Sequence, residues 1–151
     1  MPTNLYPRNT SPKRKSGPTN PPVASTRERL VALRIGRHDV TIKLTNSPTA
    51  DRLWMALPLY SSAETWGEAV HFEIPMRSAR DQTARINAKP DDVYFWPSDE
   101  RIILAWGPTP ISRPNETRLP EPCNVIATAL DDLARLKSVT PGEKVSITKI
   151  K

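Results

Sequence analysis

The residues with the most chemistry in this chain of 151 residues crowd into one stretch, ETWGEAVHFEIPMRSAR, residues 64–80. Carboxylates (Glu64, Glu68, Glu73), an imidazole (His71), an indole (Trp66) and two guanidinium groups (Arg77, Arg80) surround a short apolar alternation of Val70, Phe72 and Ile74. Such a set can move a proton, hold a carbonyl oxygen or line a ligand mouth. Parity divides it. Glu68 shares parity with Val70, Phe72 and Ile74 and is expected to point inward near one end of the fold. There a carboxylate needs a partner: an arginine, the Thr65 or Thr109 hydroxyl, an indole N–H or a ligand. His71 and Glu73 fall on the opposite face, toward solvent or a groove wall. With two histidines and one cysteine in the whole chain, and no ligand spacing around His71, no metal is expected. Cys123 reads as a small buried residue. Asp91 and Asp92 precede VYFWP and read as an Asx-type turn, not a general acid–base pair.

The elements that must position these residues are mostly strands. RLVALRI puts Val31, Leu33 and Ile35 on one side, HDVTIKL does the same for Val40, Ile42 and Leu44, and Gly36-Arg37 between them reads as a hairpin. Asn46 and Ser47 as caps, Pro48 in the first turn, and Ala50, Leu53, Trp54 and Leu57 at helical spacing predict a short helix that stops at Pro58. The strand through His71 ends at Pro75, and residues 76–92 read as a polar loop. VYFWP and RIILAWG flank a turn at 97–100. A proline-rich loop, GPTPISRPNETRLPEP, then leads to the strand NVIATAL, a short helix from Asp131 to Lys137 and a last strand, KVSITKI. Seven or eight strands and two short α-helices predict a mainly β fold, a closed antiparallel barrel with no edges to protect.

Residues 1–26 differ from the rest. They hold six of the 17 prolines, four basic residues (Arg8, Lys13, Arg14, Lys15) and no acid. A segment with so few aliphatic side chains is expected to form a disordered basic tail ahead of a domain at 27–151. Outside it, 18 basic residues face 16 acidic ones, so most of the formal charge of +6 belongs to the tail. A nucleic-acid partner is accordingly expected only through that tail. No apolar run reaches membrane-spanning length, and the N-terminus lacks the apolar core of a signal peptide, so a cytoplasmic protein with no membrane partner is expected.

The order of elements resembles cyclophilin: a hairpin, a covering helix (SPTADRLWMAL), barrel strands, a long loop, then strand, short helix and strand. At ETWGEAVHFEIP, DDVYFWPSDERIILAWGPTPIS and PCNVIA the chain is similar to the small cyclophilin-like proteins of bacteria and archaea, a family of unestablished function. The resemblance covers residues 29–150. Its most specific feature is the succession Trp66-Gly67-Glu68, Phe95-Trp96-Pro97 and Gly107-Pro108-Thr109-Pro110.

The resemblance implies a prolyl isomerase pattern, Phe-His-Arg-x-Ile-x-x-Phe-Met-x-Gln, against which individual positions can be set. With His71, Ile74 and Pro75 in register, the arginine position holds Phe72, the phenylalanine position Arg77 and the glutamine position Arg80. Phe72 has no donor for the twisting amide, and the 108–122 loop has no tryptophan to wall a proline pocket. The expectation is a domain without catalytic residues or cofactor. It would bind a small molecule or extended peptide at the barrel mouth through Trp66, Glu68, Tyr94, Trp106 and Thr109. The alternative is an isomerase with a divergent groove of His71, Phe72, Arg77 and Arg80.

Overall fold

Alternating apolar residues on either side of a two-residue turn give the first hairpin, β1 (Leu30–Ile35) and β2 (His38–Leu44). Gly36 makes its turn with φ of 61°. Leu33 faces Val40 across the ladder, and Arg34 faces Asp39, which it binds at 2.9 Å. The computed structural model describes residues 28–150; the tail at 1–26 lies outside them. Helix α1 (Pro48–Ala56) starts as its sequence dictates. The Ser47 hydroxyl accepts from the Ala50 N–H at 3.1 Å, and Pro48 occupies the first turn, where no donor is needed. Ala50, Leu53 and Leu57 are buried in the core. Trp54 packs at its edge with the Lys149 ammonium 4.7 Å from the ring centroid.

The remaining strands are β3 (Leu59–Ser62), β4 (Glu64–Thr65), β5 (Ala69–Glu73), β6 (Arg85–Asn87), β7 (Asp92–Trp96), β8 (Arg101–Ala105), β9 (Arg118–Ala129) and β10 (Lys144–Lys149). They form one antiparallel path, β3-β10-β1-β2-β9-β7-β8-β5-β4, with β6 paired to β9. The alternation in the sequence suggests a closed barrel, and the ladder corrects this by staying open between β3 at one end and β4, with the part of β5 that β4 leaves unpaired, at the other. Ala63, between β3 and β4, turns its backbone to the 142–143 corner, donating to Glu143 O and accepting from Gly142 N. The facing edges are bridged by a side chain, Ser61 Oγ donating to Glu73 O at 2.6 Å. The predicted second α-helix is a 3-10 helix at Leu133–Ser138, capped by Asp132.

Two apolar layers result. The larger lies inside the curled sheet around Val31, Leu33, Ile42, Phe72, Phe95 and Ile126. The smaller lies on the outer face of β5, β8 and β7, where Ala69, Tyr94, Ile103 and Ala105 are covered by Leu119 and Cys123. This second layer explains two departures from the sequence reading. The proline-rich segment RLPEPC belongs to β9, and the polar segment 76–92 contributes β6. They pair at Arg85–Cys123 and Asn87–Arg118, with an irregular register between, where Pro120 and Pro122 supply no N–H. The 78–83 segment is tied down by Asn124, which is fully buried. Its amide donates to Thr49 Oγ1 (3.1 Å) and Ala79 O (2.9 Å) and accepts from the Asp81 N–H (2.9 Å).

Candidate functional site

On the outer face of the sheet, pairing decides which side chains meet. Glu64 on β4 lies across from His71 on β5, and Trp96 on β7 lies across from Arg101 on β8. Arg101 thus stands between a histidine strand and a tryptophan strand. Its Nη1 donates to Glu64 Oε2 at 3.1 Å and contacts His71 Nδ1 at 3.2 Å, while its Nε donates to Asp99 Oδ2 at 2.7 Å. These groups, with Trp66 and Pro120, line a pocket of about 330 Å³, at the lower end of ligand-site volumes.

The electrostatics follow from the contacts. A guanidinium has only donors, so His71 Nδ1 must accept, which leaves the imidazole neutral with its proton on Nε2. Burial, and then the Arg101 charge, hold His71 below its ordinary value of 6.5, outweighing the opposing pull of Glu64 and Asp99. Burial works against the charge on Arg101, but its bonds to Asp99 and Glu64 raise its pKa. One positive charge is therefore set between two carboxylates that reach partly into solvent. Among the described residues, Trp96 Nε1 is the buried side-chain polar atom without a hydrogen-bond partner.

Trp66 and His71 are the expected residues that this pocket receives. Glu68 is exposed, contrary to its inward parity, because it lies in the bend after Gly67 and ahead of the first ladder pair, Ala69–Ala105, with its side chain over Gly107. Its backbone locks the turn to the 106–110 segment instead: Glu68 N–H donates to Pro108 O, and Trp106 N–H to Glu68 O, both at 2.9 Å. Tyr94 is fully buried in the outer layer, its hydroxyl accepting from the Lys89 N–H at 2.9 Å. Trp106 packs on the main core and lines a separate cleft of about 170 Å³ with Lys89, Asp91 and Asp132. Thr109 is buried too and donates to Arg118 O at 2.6 Å, holding the long loop.

The groove residues disperse as well. Phe72 is wholly inside the main core. Arg77 is exposed and pairs with Glu100 at 3.3 Å beside Arg52, in a different depression. Arg80 is exposed. Asp91 does sit in a turn, but by taking φ of 68° two residues after Lys89, whose carbonyl accepts from the Asp92 N–H at 3.3 Å. The sequence reading left Arg101, Asp99, Pro120, Glu64 and Trp96 out of its candidate site. A signal for the first was present: the four-residue loop 97–100 sets Arg101 directly opposite Trp96, on the parity of Ile103.

Among the described residues, no group of three or more His, Cys, Asp or Glu is placed to hold a metal ion, and no helix is long and apolar enough to cross a membrane. Together, the helix laid over a curled antiparallel sheet, the late 3-10 helix between the last two strands and the pocket on the outer face define a cyclophilin-type β domain. The family model described as cyclophilin-like matches residues 29–148, and the chain belongs to that family. A hypothetical protein from Archaeoglobus fulgidus, determined in solution, is similar over 81% of this chain and 95% of its own. That match has a TM-score of 0.71 and 26% identity. McbB, determined in complex with tryptophan, shares the fold at a TM-score of 0.60 and 17% identity. Its match covers 80% of this chain but only 44% of McbB. No curated protein matches the chain in sequence.

Proposed function

We propose that this cyclophilin-like domain binds a small molecule, in the outer-face pocket of Trp66, His71, Trp96, Arg101 and Pro120, and does not isomerise prolyl bonds. The observation that carries the reading is the convergence of two indoles and a pyrrolidine ring on a neutral histidine and a tethered guanidinium, in a space of ligand size. Apolar rings with a few placed polar groups are the usual composition of a small-molecule site. Two facts support the second half. The strand position after His71 is a buried phenylalanine that cannot donate to an amide, and the arginines 77 and 80 lie exposed outside the pocket. The tryptophan bound to McbB belongs to that protein, and it recommends an aromatic first probe here.

The test is a titration of the full chain with indole and with tryptophan, read from the side-chain N–H signals of its four tryptophans. The Trp66 and Trp96 signals should move together while that of Trp54 stays, and Trp66→Ala should abolish the response. Indole signals that ignore both probes would sink the binding reading. A proline-peptide assay should return the uncatalysed rate, and catalysis that survives His71→Ala would locate isomerase chemistry elsewhere.

A further inference from the structure

The unspent hydrogen-bonding capacity of the pocket narrows its ligand, and this step rests on the binding reading above. Arg101 commits Nε to Asp99 and Nη1 to Glu64 and His71, but among the described residues its Nη2 makes no hydrogen bond. His71 Nε2, which carries the proton, is likewise unpartnered there. Neither is among the buried unpartnered atoms, so both are accessible, and both belong to side chains that line the pocket. What remains unmatched is therefore a set of donors, and the ligand must bring acceptors. Ordinarily a guanidinium with free N–H groups recruits a carboxylate or phosphate. Here the single positive charge already faces two carboxylates, Glu64 and Asp99, so a ligand anion would meet a formal excess of negative charge at close range.

We infer that the pocket selects an uncharged planar ring carrying a carbonyl or ring-nitrogen acceptor, of the aromatic-amide or heteroaromatic class. The ring stacks against Trp66 and Trp96, and the acceptor takes the Arg101 Nη2 and His71 Nε2 hydrogens. A cation would suit the net charge and the indoles, but it would leave these donors unmatched and repel Arg101.

The experiment compares three probes of similar shape on the full chain: nicotinamide, nicotinate and benzamidine, each titrated while the Trp66 and Trp96 side-chain N–H signals are followed. Nicotinamide should bind at least about tenfold more tightly than nicotinate, the scale of one unfavourable charge contact. Benzamidine should also trail it, and His71→Ala should weaken nicotinamide several-fold without moving the fold's other signals. Because Arg101→Gln also removes an ion-pair partner from two carboxylates, His71→Ala is the cleaner variant. Tighter binding of nicotinate or benzamidine at the same indoles would overturn the assignment of ligand class while leaving a binding site in place. Silence from all three probes at indoles that still respond to indole would overturn the class alone; silence there from indole as well would overturn the class and the binding reading together.

Discussion

Gly67 turns the chain between Trp66 and β5, and its replacement by alanine should cost far more than the same change at Gly142. Both residues have positive φ, 60° and 94° respectively, so either alanine is forced into a backbone region that a Cβ disfavours, a strain of about 1–2 kcal/mol. At Gly142 nothing lies within 4 Å of the new methyl, so the cost ends there. At Gly67 the methyl would sit 2.8 Å from Pro108 O and 2.9 Å from both Thr109 Cα and Pro110 Cδ. Two of those atoms are backbone, held by the Glu68–Pro108 hydrogen bond and by Thr109's buried hydroxyl, so they cannot swing aside as a side-chain tip would. Displacing a packed segment adds about 1–3 kcal/mol, which brings Gly67→Ala to roughly 2–5 kcal/mol. Urea unfolding of both variants measures the difference, and by melting temperature the gap should be roughly 5–10 °C. Equal losses at the two glycines would refute the claim that the Trp66-Gly67-Glu68 turn is braced against the 107–110 loop. Trp66 moves with this turn, so Gly67→Ala should also weaken the response of the Trp66 indole to aromatic probes.

Asn124→Ala should destabilise the domain by about 2–4 kcal/mol, because it orphans the Asp81 N–H and the Ala79 carbonyl while Thr49 keeps Ser78 as a partner. Hydrogen exchange should rise first in residues 78–83, and uniform exchange across the sheet would contradict this. Since the folded state holds His71 below 6.5 through burial and Arg101, the folded state binds its proton more weakly than the unfolded chain does. Its contribution to stability is complete above pH 6.5 and is lost as pH falls through the folded pKa. Denaturation midpoints measured across this range should fall less in His71→Gln than in the unaltered protein. Burial pushes the Cys123 thiol up to about 12, so it should resist a disulfide reagent at mildly alkaline pH until the domain unfolds. Rapid labelling of the native protein would show that the outer layer opens.

What the sequence discloses here is whatever two residues apart can show. The hairpin of β1 and β2, the cap at Ser47 and the covering helix follow from local spacing, and each appears where alternation and capping chemistry place it. The outer layer does not follow from such spacing. Tyr94 and Ile103 are buried on the face that alternation assigns to solvent, because β6 and the first half of β9 come from distant segments to cover it. The unbroken apolar runs VYF and IILA recorded this burial, since a strand covered on both faces loses its alternation. Prolines at 120 and 122 argued against a strand there, yet they are tolerated where the pairing with β6 is irregular. The site shows the same limit. His71 and Trp66 were conspicuous within one short stretch, whereas Arg101, which orients the histidine and binds both carboxylates, comes from 30 residues away. It could be found only by folding the 97–100 turn and asking what stands opposite Trp96. Glu68 failed for a complementary reason: it precedes the first ladder pair of β5, in the bend that Gly67 makes, so strand parity does not extend to it and its side chain lies over Gly107. The Trp-Gly-Glu and Gly-Pro-Thr-Pro motifs therefore belong together physically. One supplies a turn that only a glycine makes at that approach, the other supplies the backbone it presses against, and together they fix the position of Trp66 in the pocket wall.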